Sequence, residues 1–101
     1  MIVYNITIKI FPEIEMEWVQ WQKEEHIPDV MASGQFIDYK FYRLLEQEAE
    51  DGATYIIQYF SPSLQTYNKY IEQMAPLLRQ KALAKWGDKF IAFRTIMEVV
   101  N

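Results

Sequence analysis

The sequence contains no cysteine. Disulfides, thiol nucleophiles and thiolate metal sites are therefore excluded. Glycine is scarce, at three residues in 101, so there is no phosphate-cradling loop and no anchor for a nucleotide cofactor. Histidine occurs once, as His26. Glu24, Glu25 and Asp29 are near it, but none lies four residues away, where a helix would align two metal ligands on one face. No metal is expected. A lone imidazole suffices for haem ligation, yet no second feature supports it, and no cofactor is expected. Basic residues are outnumbered, ten against fourteen acidic, for a net charge of −4. Such a surface repels polyphosphate backbones, so nucleic acid is not an expected partner. No apolar run approaches the roughly 20 residues that span a bilayer. Met1 leads directly into IVYNITIKI without the basic, apolar and cleavage segments of a secretory signal. The expectation is a cytoplasmic protein that does not engage a membrane.

Apolar residues, by contrast, make up 50% of the chain and aromatics 16%. That is rich for a small monomer, and it implies that a partner subunit covers part of the apolar surface. The length allows one domain, residues 1–101.

The hydrophobic pattern gives the order of elements. Residues 2–10 alternate as a strand, with Ile2, Tyr4, Ile6, Ile8 and Ile10 on one face and Val3, Asn5, Thr7 and Lys9 on the other. Residues 13–32 read as a helix, with Gly34 as its stop. A second strand is predicted over 35–46, the acidic turn QEAEDG follows, and TYIIQYF at 54–60 forms the third strand, paired with the second as a hairpin. Ser61 is the expected cap of the next helix, with Pro62 at its first position. Leu64, Tyr67, Ile71, Met74, Leu78 and Ala82 form its expected buried face, and Pro76 should kink or split it. Gly87 ends that helix and residues 88–100 make the fourth strand. The resulting β-α-β-β-α-β order predicts an α+β ferredoxin-like fold, with an antiparallel sheet in the order 4-1-3-2 and two helices on one face. The other face is left open.

Two places carry candidate chemistry. In WQKEEHIPDV, Pro28 cannot donate to the carbonyl of Glu24, so the helix should loosen where His26 sits. A loosened turn could aim the imidazole toward the sheet as a general base; the plainer alternative is a locally satisfied side chain. The second place is the open sheet face, where Asn5, Gln58, Arg94 and Glu98 are expected to gather as a polar set among aromatics such as Tyr42. That set would line a ligand cavity or form a polar network sealing a dimer. RNA-recognition motifs share the topology, but Tyr55, Tyr59 and Phe60 lack the accompanying glycine and basic positions. Amino-acid-sensing regulatory domains share it too, but the loop Phe11-Pro12-Glu13 lacks their glycine.

MIVYNITIKI, EWVQWQKEEHIPDVMASGQF and LRQKALAKWGDKFIAFRTIMEVV together resemble, almost end to end, a bacterial domain-of-unknown-function family, number 4286. That family is similar to the dimeric α/β-barrel superfamily, in which two ferredoxin-like subunits press their open sheet faces together. Members of the wider group often carry a Trp, then His-x-Pro, then a glycine after the first helix. Trp21, His26, Pro28 and Gly34 fit this outline, with Ser33-Gly34 replacing the usual Pro-Gly pair. Superfamily relatives include cofactor-independent monooxygenases, isomerases, decarboxylases and haem enzymes. The resemblance implies a cavity, within or between subunits, lined by sheet residues and approached by His26; it implies no particular activity.

Three readings result. The first is a homodimer, joined through the open sheet face, that binds a small apolar or aromatic molecule between sheet and helices, with Trp21, Asn5, Gln58, Tyr42 and Glu98 as ligand-binding residues. In the second, the same build is a cofactor-independent enzyme, with His26 as general base and Arg94 stabilising the developing anion. The third is a structural or interaction protein with a filled barrel.

Overall fold

A computed structural model describes residues 1–45 and 51–101. Strand β1, Ile2–Ile10, forms the centre of the sheet with β3, Ala53–Ser61; β2, Asp38–Arg43, and β4, Phe90–Glu98, are the edges. Every neighbouring pair is antiparallel, and the order is β2-β3-β1-β4. This is the expected ferredoxin-like α+β arrangement. Most of the predicted acidic turn, residues 47–50, and the end of the predicted second strand at 46 lie outside the described residues. The described part of β2 also starts later than expected. Residues 35–37 carry the chain from helix to sheet, and Phe36 is buried on the way.

The first helical segment is one continuous rod with three internal changes of pitch. A 3₁₀ turn at Pro12–Ile14 leads into α1, Glu15–Trp21; a π turn spans Gln22–His26, and α2 runs Ile27–Ala32. Pro28 explains the π turn. It has no N–H for the Glu24 carbonyl, and just before it the Ile27 N–H reaches back five residues to the Gln22 carbonyl. Gly34, at φ +79, ends the rod and donates its N–H to Met31.

Past β3 the serine assignments change. Ser61 is the last residue of β3, fully buried, and its hydroxyl donates to the Ser63 carbonyl. Ser63 is the cap instead: its hydroxyl accepts from the Thr66 N–H, so Pro62 precedes the cap rather than opening the helix. Pro76 splits the helix as expected, into α3, Leu64–Gln73, and α4, Ala75–Trp86. The split also changes the buried face. Tyr70, Ala75, Leu78 and Trp86 are buried, whereas Leu64 is 52% exposed.

The helices cover one face of the sheet. Tyr4, Ile6, Ile8 and Ile10 from β1 meet Ile57 and Tyr59 from β3, and Trp18, Ile27, Val30 and Leu78 close over them. Each large apolar side chain removed from water contributes about 1.5–3 kcal/mol, so this layer dominates the stability. Tyr4 lies at the centre of an aromatic cluster, with Phe36, Tyr59, Tyr67 and Tyr70 all within 6.2 Å between ring centroids.

The opposite face has no helix. Phe93 there is 65% exposed, Ile91 49%, Tyr42 43% and Met97 41%. On the same side Gln58 donates to Asn5 at 3.2 Å, and Asn5 donates to Thr7 at 3.3 Å.

Gly52 enters β3 with φ +124, and a Cβ there would overlap the carbonyl of Ile10 in the neighbouring strand. Gly34 also has positive φ, but a Cβ there would meet only open space. Gly52→Ala is expected to destabilise the fold by about 3 kcal/mol and Gly34→Ala by about 1 kcal/mol. Urea denaturation of both variants checks this, and equal losses would show that backbone conformation alone sets the requirement for glycine.

Candidate functional site

The π turn determines where His26 points. In an α-helix residues five apart diverge by about 140°, but a π turn returns to the same face after roughly that interval. Trp21, just before this turn, and His26, its last residue, are five apart, and their rings stack at 4.7 Å with 25° between planes. Trp86 from α4 meets the Trp21 indole edge-on at 5.7 Å.

The stack forms one end of an open cleft of about 450 Å³ between the first helical rod and α4. The rod supplies Trp21, Glu25, His26 and Asp29; α4 supplies Lys81, Ala84 and Lys85. No sheet residue lines it, so the cleft lies between helices and not between helices and sheet as expected from the sequence. Lys85 is held over the Trp86 ring at 5.2 Å.

His26 is half-buried, and its ring nitrogens are not among the fully enclosed polar atoms of the described residues. Burial disfavours the imidazolium and moves its pKa down from 6.5 to about 4. Asp29 opposes the shift, and the Arg94 guanidinium adds to it. At neutral pH the ring is therefore uncharged, able to accept one hydrogen bond and donate another.

The β1–β4 register corrects the expected polar set. Ile6 faces Arg94 and Ile2 faces Glu98, and directly paired residues project to the same side of a sheet. Ile6 is under the helices, so Arg94 and Glu98 point to the helix side, away from Asn5 and Gln58. Asn5 lies opposite Gln58, and Tyr42 opposite Ile56, on the open face. The sequence-based candidates thus separate into two groups. Trp21, His26 and Arg94 are on the helix side, and Glu98 is on that side at the end of β4. Asn5, Gln58 and Tyr42 are on the open side. Among the described residues the ion pairs are Lys9–Asp51, Arg43–Glu15 and Lys89–Glu13.

Several residues absent from the sequence-based set contribute here. Lys81 and Lys85 are four apart on α4, a visible spacing whose partner across the cleft no local pattern reveals. Arg79 donates to the Tyr4 hydroxyl at 3.0 Å, and with Arg94 it counteracts the upward pull of burial on the Tyr67 and Tyr70 phenols. The Tyr59 hydroxyl is buried with no partner among the described residues, and burial first, then the neighbouring tyrosines, raises its pKa. A smaller hollow of about 180 Å³ beside β2 is lined by Val19, Lys23, Phe41, Tyr42, Arg43 and Tyr55. There Tyr55 donates to Glu15 at 2.6 Å.

The His26 shift has a consequence for stability. Between pH 6.5 and about 4 the unfolded chain takes up a proton that the native protein refuses, so this residue lowers stability as pH falls through that window. Allowing for partial exposure, the loss is about 2 kcal/mol. His26→Phe keeps a ring on Trp21 but cannot titrate. The stability difference between variant and parent should shift in the variant's favour by that amount from pH 7 to pH 4, and a difference independent of pH in denaturant titrations would contradict the neutral imidazole.

Comparison with known proteins agrees with the architecture. A search of the curated proteins finds no match. Among solved structures, an ethyl tert-butyl ether D (ethd) family protein from Bacillus halodurans superposes with a TM-score of 0.74 at 16% identity, covering 99% of this chain and 100% of that one. SnoaB, a cofactor-independent oxygenase from Streptomyces nogalater, gives 0.69 at 11% identity over 99% and 93%. A variant of MhuD with two manganese protoporphyrin IX molecules bound per active site gives 0.71 at 16% identity over 100% and 96%. Likeness at these identities establishes the fold and leaves activity open. The family is set by the sequence itself: the model described as "Domain of unknown function (DUF4286)" matches residues 1–100, and the chain belongs to that family.

Proposed function

We propose that the protein is a homodimer that binds a small apolar or aromatic molecule against the Trp21–His26 stack. The observation that carries the binding reading is a half-buried imidazole, stacked on an indole and free to bond outward, at the wall of a cleft of about 450 Å³. That volume is in the range of small-molecule sites, and a polar ring is the kind of group that fixes a ligand's orientation. The two structural relatives named above for an oxygenase and for bound porphyrin use the same fold with small molecules, which supports this reading.

A second reading makes His26 a general base, with Arg94 stabilising an anion. Its support is the placement of both residues on the helix side, within electrostatic reach of each other. The same geometry weakens it. An imidazole with a pKa of about 4 is always free to accept a proton at neutral pH but is a weak base, and base catalysis is most effective when the pKa is near the working pH. Binding is therefore the preferred reading. Dimerisation is supported by the apolar side chains exposed on the helix-free face, which an aqueous surface does not favour.

Light scattering should give twice the 12.1 kDa chain mass, and Phe93→Glu should return it to the single-chain value. A parent protein that scatters as one chain would refute the dimer and leave the open face unexplained. Titration with phenol, followed by NMR at the Trp21 indole and His26 imidazole, should give saturable shifts with a millimolar midpoint, about 4 kcal/mol of binding. Shifts that are linear in phenol and spread evenly over the chain would count against a site and in favour of the filled-barrel alternative.

A further inference from the structure

The charges around the cleft are sorted by wall. Glu25 and Asp29, four apart on the first rod, line one side; Lys81 and Lys85, four apart on α4, line the other. Such pairs occupy one face of their helix, so two like-charged faces look at each other with opposite signs. They do not close. None of these four takes part in an ion pair within 4 Å among the described residues, where the three pairs formed are elsewhere. Ala84, on the lysine wall, is too short to reach the facing wall, and the stacked Trp21 and His26 rings supply an aromatic surface.

A purely structural explanation of this arrangement is weak. Exposed, water-separated charges contribute well under about 1 kcal/mol to helix packing, and the Trp21–Trp86 contact already holds the two elements together. The ligand chemistry is narrower than aromaticity alone. The acidic wall repels phosphates and other polyanions, the lysines repel polyamines, and two charges of each sign match a ligand of zero net charge carrying both.

We propose that the cleft takes a zwitterion of the aromatic α-amino-acid class, its ammonium against Glu25 and Asp29, its carboxylate against Lys81 and Lys85, and its ring against the Trp21–His26 stack. This rests on the binding reading above and specifies the substrate class at the same site. His26, uncharged, leaves the balance of charge to the four wall residues and can hydrogen-bond to either end of the ligand.

The test is a set of four probes titrated into the full chain, with the Trp21 indole and His26 imidazole resonances as readout: L-phenylalanine, N-acetylphenylalanine, phenylalaninamide and phenol. L-phenylalanine should bind most tightly, and removing either charge should weaken binding about fivefold. In the double variant Lys81→Gln/Lys85→Gln, the preference for phenylalanine over its amide should vanish while the preference over the N-acetyl form remains. Glu25→Gln/Asp29→Asn should do the reverse. Ala84→Trp, which fills the cleft without altering any charge, should abolish binding of every probe. If phenol binds as well as L-phenylalanine, the zwitterion inference is overturned while the binding reading stands. If no probe binds at about 10 mM, or Ala84→Trp leaves binding intact, both the inference and the assignment of the cleft fall.

Discussion

One missing hydrogen atom organises the helix layer. Proline at position 28 carries no N–H, so an ordinary helical bond to Glu24 cannot form. The backbone widens to a π turn, with Ile27 bonded to Gln22. Widening keeps the donor count nearly satisfied, and it also rotates the residues that follow. Trp21 and His26 come into register as stacked rings, Ile27 and Val30 turn into the core, and Glu25 and Asp29 line the cleft. A regular helix would place the imidazole about 140° from the indole, with nothing to cover it. Burial of His26, and hence its lowered pKa, descends from this local failure of hydrogen bonding.

The sheet imposes the second constraint, because its pleat allows no intermediate orientation. Each residue of β4 belongs to one side or the other according to its partner in β1. Arg94 falls on the helix side and brings a fixed positive charge toward His26 and the tyrosine cluster. The same alternation puts Ile91, Phe93 and Met97 on the helix-free side. One register thus determines both the electrostatics beneath the helices and the apolar character of the open face.

What the sequence disclosed follows from how local each signal is. Alternation in IVYNITIKI, the break at Pro76 and the stop at Gly34 are written within a few residues, and all are found as expected. The loosened turn at His26 was legible for the same reason. The facing of β4 is not legible, although the strand itself is found as expected, because FIAFRTIME is apolar on both faces: Phe90, Ala92 and Ile96 on one, Ile91, Phe93 and Met97 on the other. Periodicity cannot choose between two apolar faces, and only the pairing with β1 puts Arg94 and Glu98 on the helix side. The two serines of SPS are equally ambiguous as caps until the strand's length is known. Lys81 and Lys85 are evident as a spacing, but their position across from Glu25 and Asp29 is a tertiary fact, separated by more than fifty residues of chain.

The two faces of this small domain answer opposite physical demands. An aromatic cluster around Tyr4 excludes water and supplies stability in a layer where nearly every side chain is committed to packing. Binding requires the reverse, polar groups left without partners, and a domain of this size has few places where they can be tolerated. The cleft is such a place because its charges stay at the rim, where solvent screens them and leaving them unpaired has little effect on stability. His26 and Asp29 lie deeper than the exposed Glu25, Lys81 and Lys85, and the imidazole is tolerated there because it is uncharged. A protonated imidazole in the same position would draw in water or open the helices, so the neutral state is as much a condition of the cleft's shape as a consequence of it.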